Sequence, residues 1–140
     1  MNRRKLVGYV PGGWDMFHIG HLNILMRARE HCDHLIAGVV LDEVLHQAKG
    51  KYPVVPHEER MEIVSHIDCV DEVVADISND KLVMWEMLHF DVLFKGDDWR
   101  GTPKGDRLEL AMGEVGVTVV YFPYTVHTSS TLLRRLISER

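Results

Sequence analysis

Residues 12–21 read Gly-Gly-Trp-Asp-Met-Phe-His-Ile-Gly-His. His18 and His21 stand three apart, which puts both imidazoles on one face of a helix's first turn. Two rings so placed can donate hydrogen bonds to phosphate oxygens. Gly12 and Gly13 let the backbone approach a ligand with no side chain between. Free amides at the coming helix start favour an anion, and Gly20 leaves room for a flat ring or a ribose. Two plainer uses of the pair compete. As metal ligands the histidines need a third partner, and the glycines then have no role. As helix caps they need no ligand at all. No Ser/His/Asp or Cys/His set for covalent catalysis stands out.

These residues must be held by an ordered scaffold, and the hydropathy pattern supplies one. Short apolar runs at 5–10, 34–41, 70–75, 91–95 and 117–122 read as buried strands. Helical patterns fill 19–31, 57–66, 79–88, 106–114 and 129–139. Residues 42–56, with Gly50, Pro53 and Pro56, read as turn. Strands alternating with helical crossovers imply a parallel five-stranded sheet with helices on both faces, a three-layer α/β fold. Ligands bind such sheets beyond the carboxyl ends of the strands. The polar and glycine-rich segments at 11–21, 49–51, 96–99 and 124–131 all fall there.

The whole chain, 1–140, reads as one domain, with no repeat, linker or low-complexity segment. At this length it buries enough surface to need no disulfide or structural metal. Sixteen basic against 21 acidic residues give a net charge of −5, which argues against a nucleic-acid coat or a polybasic membrane binder. Cys32 and Cys69 form neither a disulfide framework nor a CxxC site, so a reducing cytoplasm is the expected compartment. No signal peptide is expected, and no apolar run nears the ~20 residues of a membrane span.

The HIGH run at 18–21, preceded by GGWD, resembles the nucleotidyltransferase superfamily that shares its Rossmann-like fold with class I aminoacyl-tRNA synthetases. No KMSKS run follows. Further marks recur in order: KGK at 49–51, HEER at 57–60, KGDDWRG at 95–101 and YTVHTSST at 124–131. Together they resemble the glycerol-3-phosphate cytidylyltransferases across essentially the whole chain.

The resemblance implies a cytoplasmic enzyme that joins CTP and sn-glycerol 3-phosphate into CDP-glycerol and pyrophosphate, feeding a polymer such as teichoic acid. Related acceptors (choline, ethanolamine or sugar phosphates) or ATP in place of CTP stay within the class. It implies that His18 and His21 stabilise the α-phosphate, over a floor of Gly12, Gly13 and Trp14. Lys49 and Lys51 reach over the site to the phosphates of nucleotide and acceptor, and Arg60 contacts the acceptor phosphate or helps close the site. Gly96, Asp97, Asp98 and Trp99 hold base and ribose. Thr125, Ser129, Ser130 and Thr131 face the triphosphate. Mg²⁺ on the CTP phosphates is implied, with Asp15 as a partner through water, and so is a homodimer.

Taken alone, Lys49 and Lys51 are solvated loop charges, Asp97 and Asp98 turn formers, and the Ser-Ser-Thr run a helix cap, a role compatible with phosphate binding. The family motif carries an arginine where this chain has Tyr124, which cannot form a bidentate charged clamp. His127, Arg134 and Arg135 are the cations nearby in sequence. Loss of that arginine leaves open a nucleotide-binding module without turnover. Gly13 also replaces a threonine usual in the glycerol-3-phosphate enzymes.

Overall fold

Five parallel strands form one sheet in the order β3-β2-β1-β4-β5. They are β1 Val7–Gly12, β2 His34–Val40, β3 Glu72–Asp76, β4 Val92–Gly96 and β5 Thr118–Phe122. The computed structural model describes residues 4–123 and 130–138. Among these residues there are six α-helices: α1 Ile19–Arg29, α2 Asp42–Lys49, α3 His57–Ser65, α4 Lys81–Leu88, α5 Pro103–Glu114 and α6 Ser130–Ser138. None is long and apolar enough to cross a membrane.

Strand periodicity sorts the core onto two faces. Val10 of β1, Leu35, Ala37 and Val39 of β2, and Val92 and Phe94 of β4 point to the front, where Leu25 and Ala28 of α1 and Val64 of α3 cover them. Tyr9, Ile36 and Leu93 point to the back, against Met84 of α4 and Leu108 and Met112 of α5. Burial on both sides accounts for unbroken apolar runs such as that of β2. The strand order reverses between β1 and β4, so the crevice at their carboxyl ends is where a ligand has room to enter.

Two expectations are corrected. Residues 42–49, read as turn, form α2. Val44 and Leu45 are its buried face, and Gly50 ends it in the left-handed conformation at φ 71°. The helix expected over 106–114 begins at Pro103, because the Thr102 hydroxyl accepts the Gly105 amide and proline suits a first helical position.

Candidate active site

The loop from β1 to α1 is bent into an uncommon shape. Trp14 and Met16 have φ of 55° and 50°, left-handed values that strain bulky side chains. Three attachments hold it there. The Trp14 indole is buried and donates its N–H to the Gly38 carbonyl at 2.9 Å. Asp15 is also buried, and its carboxylate accepts the amides of Val54 and Val55 at 2.9 and 2.8 Å. Arg60 donates to the Gly13 carbonyl at 2.6 Å.

Arg60 is a correction. The resemblance implied a contact with acceptor phosphate or a part in closing the site, but its side chain is fully buried. Besides Gly13 it donates to the carbonyls of Val55 and Val40, both at 2.9 Å, and to the Asp42 carboxylate at 2.5 Å. It ties the β1–α1 loop, the end of β2, the start of α2 and the loop before α3 into one unit. Its guanidinium positions the site's walls and does not face a ligand.

The two histidines interlock at the start of α1. His18 is the N-cap, and its Nδ1 accepts the Gly20 amide at 3.0 Å. His21 Nδ1 reaches back and accepts the His18 amide at 3.2 Å. This is a capping box built from imidazoles. The capping and phosphate readings are thus not rivals: with each Nδ1 accepting, the hydrogen-bond pattern assigns the proton of each neutral ring to Nε2. Both rings therefore offer an Nε2–H donor. They stack with centroids 3.9 Å apart.

Burial keeps the pair uncharged. It lowers the pKa of His18 from the usual histidine value. His21 is lowered to about 3, by burial first and then by His18, with Asp15 opposing. At neutral pH these are dipolar donors, not cations.

Around them opens a front cavity of about 450 Å³, lined by Gly13, Trp14, Asp15, His21 and Leu45 on one side. Lys49, Lys51, Ser130, Thr131, Arg134 and Arg135 line the other. Four cations against one carboxylate give this lining a positive balance within an acidic chain. His18 joins it through Ser130, whose hydroxyl lies 3.4 Å from His18 Nε2 and donates to the Asp15 carbonyl at 2.7 Å. Thus α2 and the turn after it bring Lys49 and Lys51 to the histidines, and α6 brings Ser130 and Thr131.

Other expected residues lie elsewhere. Trp99 lines a second cavity, on the back of the sheet. Gly96, Asp97 and Asp98 line neither. Gly12 ends β1 and lines neither cavity. Thr125 and Ser129 lie outside the described residues, as do Tyr124 and His127.

Arg134 and Arg135, named above as cations near Tyr124 in sequence, line the front cavity. Arg134 pairs with the Asp15 carboxylate at 2.7 Å and also donates to the Tyr52 carbonyl at 3.2 Å. The Asp15 carboxylate thereby accepts three hydrogen bonds. No group of three or more metal-binding side chains exists among the described residues.

The model of the cytidylyltransferase-like family matches residues 9–136. The chain belongs to that family, and through it to the HIGH-motif nucleotidyltransferases. It is similar to the ethanolamine-phosphate cytidylyltransferase of Dictyostelium discoideum, at 40% identity over 95 residues. That alignment covers 64% of this chain and 26% of the relative, so the chain spans about a quarter of that protein's length. It is similar to the FAD synthase of Thermococcus sibiricus at 27% identity, over 99% of this chain and 95% of that one. Among solved structures, the lipopolysaccharide core biosynthesis protein of Thermoplasma volcanium shares the fold, with a TM-score of 0.74 at 20% identity. It covers 89% of this chain and all of that one.

Proposed function

We propose that the chain transfers a cytidylyl group from CTP, bound with Mg²⁺ as the substrate complex, to a small phosphomonoester. The products are a CDP-linked compound and pyrophosphate. The observation that carries this reading is the pair of neutral Nε2–H donors at the mouth of a cavity rich in cations.

An oxygen of the acceptor phosphate attacks the α-phosphorus as the bond to pyrophosphate breaks. Charge grows on the α-phosphate oxygens and on the leaving group. His18 and His21 donate to the former, and their network fixes the donors in place beforehand. Lys49, Lys51, Arg134 and Arg135 offset the charge on the latter. No covalent nucleophile is needed, because phosphoryl and nucleotidyl transfer depend mostly on positioning and electrostatics. Gly12, Gly13 and Trp14 form the floor, and Ser130 and Thr131 face the triphosphate.

For the acceptor, the wider reading of a related phosphomonoester has better support than glycerol 3-phosphate. The relative at 40% identity is named for ethanolamine phosphate. A second reading, adenylyl transfer from ATP, draws on the FAD synthase match over nearly both chains. A pyrophosphate-release assay over a grid of CTP and ATP against glycerol 3-phosphate, ethanolamine phosphate, choline phosphate and sugar phosphates decides. Release that needs CTP and a phosphomonoester supports the proposal. Release with ATP alone, or CTP binding by calorimetry without release, overturns it.

A further inference from the structure

The back cavity, of about 530 Å³, has an apolar floor and a cationic rim. Leu93, Leu108 and Met112 make the floor. Lys95 follows Leu93 by two residues on β4, so strand alternation sends it to the same side. Its ammonium lies 3.8 Å from the centre of the Trp99 ring. Lys104 and Arg107 stand three apart on α5, one turn of one face, and Lys81 lies across from them on α4.

The carboxylates near this rim are unequally placed. Asp76, fully buried, takes Lys81 at 2.9 Å and the Tyr9 hydroxyl at 2.5 Å. Asp80 lines the cavity and caps α4 by accepting the Leu82 amide at 3.0 Å. Asp98 is exposed, and its charge opposes the fall in the Lys95 pKa. Among the described residues no carboxylate lies within ion-pairing distance of Lys95, Lys104 or Arg107. Burial and the neighbouring lysines lower the Lys95 pKa to about 8 despite Asp98, so an anion is wanted there.

Residues close in sequence line the two cavities at the carboxyl edge of the sheet. Pro11 lines the back one and Gly13 the front; Ala48 lines the back and Lys49 the front. A ligand lying across this edge can keep its phosphate at the front while its other end enters the back.

We propose that the back cavity selects a phosphomonoester whose far end carries a second anion, held by Lys104 and Arg107 with Lys95 beneath, and disfavours one ending in an ammonium. An ammonium would add a fifth cation to the rim, whereas a carboxylate or second phosphate pairs those already there. This rests on the cytidylyl-transfer reading above.

The test compares 3-phosphoglycerate with glycerol 3-phosphate, which differ by a carboxylate against a hydroxymethyl group, and adds ethanolamine phosphate. With CTP and pyrophosphate release as the readout, kcat/KM for 3-phosphoglycerate exceeds that for ethanolamine phosphate by about tenfold or more, the scale of two solvent-facing charge contacts. The Lys104→Ala, Arg107→Ala double variant lowers the ratio of 3-phosphoglycerate to glycerol 3-phosphate about tenfold. Both side chains are exposed, so its thermal midpoint stays near that of the parent. Ethanolamine phosphate turned over as well or better, or a ratio the variant does not move, overturns the proposal. If no acceptor yields pyrophosphate, the transfer reading has failed and the charge preference is read by calorimetry of the same three compounds. Tighter binding of 3-phosphoglycerate then supports the cavity's selectivity, and equal binding sinks it.

Discussion

The two sides of the sheet's carboxyl edge treat negative charge in opposite ways. At the front, the histidines are uncharged and fully hydrogen-bonded at Nδ1, with their donors fixed before any ligand arrives. At the back, three cations have no carboxylate within ion-pairing distance among the described residues, and one of them is partly buried under a tryptophan. The front suits a step in which charge appears only as bonds rearrange, since a dipole held in place needs no reorganisation. The back suits recognition of charge that is already present. The lesson is that placement, more than the number of cations, separates a catalytic edge from a selecting one.

The largest expected effect falls on what holds the front together. Arg60→Ala leaves Asp42 and three carbonyls without their partner, which costs about 3–5 kcal/mol. Chemical denaturation reads this as a lower midpoint with activity lost alongside. Arg60→Lys does not rescue, because an ammonium cannot span acceptors in four segments. A stable Arg60→Lys protein with only a raised acceptor KM would return Arg60 to ligand contact. Next comes the chemistry itself. His18→Ala and His21→Ala each lower kcat about 10²–10³-fold, the scale of a lost transition-state donor. Single-turnover kinetics check this, and an unchanged kcat removes the role assigned to the rings.

Much of this contrast is legible in the sequence, and where it is not there is a physical reason. Unbroken apolar runs announce the strands, since both faces are covered. The histidine spacing announces the phosphate edge because capping is local. The turn-rich stretch around Gly50, Pro53 and Pro56 hides α2, whose buried face is little more than Val44 and Leu45. Yet its acidic first turn, basic last turn and terminal glycine were signals for a helix. The burial of Arg60 has no local sign. Its segment reads as a solvated helix face, while its acceptors Gly13 and Val40 lie 47 and 20 residues away. The back rim was missed for the same reason: Lys81, Lys95 and Arg107 meet only once α4, β4 and α5 pack. Lys95 carried one hint, a charge at an inward position closing an apolar strand.

Titration sharpens the comparison with smaller effects. His21 has its folded pKa depressed to about 3 from an ordinary 6.5, so between those values the unfolded chain binds more protons. Its contribution makes stability fall as pH drops from about 6.5 towards 3, with no dependence above. The difference in denaturation midpoint between the parent and His21→Ala isolates it across that range. Lys95 gives the same sign at the other end. Its folded pKa near 8 lies below 10.5, so stability rises as pH climbs between them and the buried charge is relieved. Lys95→Met is accordingly more stable than the parent at pH 7 and abolishes that alkaline rise. A variant less stable at pH 7 would mean that Lys95 already has its counter-charge.

The smallest effect tests how the front closes upon itself. Ser130 gives its proton to the Asp15 carbonyl at 2.7 Å, and its oxygen is left 3.4 Å from His18 Nε2, too long for a strong bond. Its hydroxyl therefore fixes α6 to the β1–α1 loop and only loosely occupies the imidazole's donor. A phosphate oxygen can take that donor with little lost. Ser130→Ala should then cost about 1 kcal/mol, under tenfold in kcat/KM, the net value of one ordinary hydrogen bond. It should act mainly through KM for CTP as α6 loosens, which steady-state kinetics separates from kcat. A loss in kcat matching that of His18→Ala would instead put the hydroxyl on the reacting phosphate, and the front edge would have three donors in place of two.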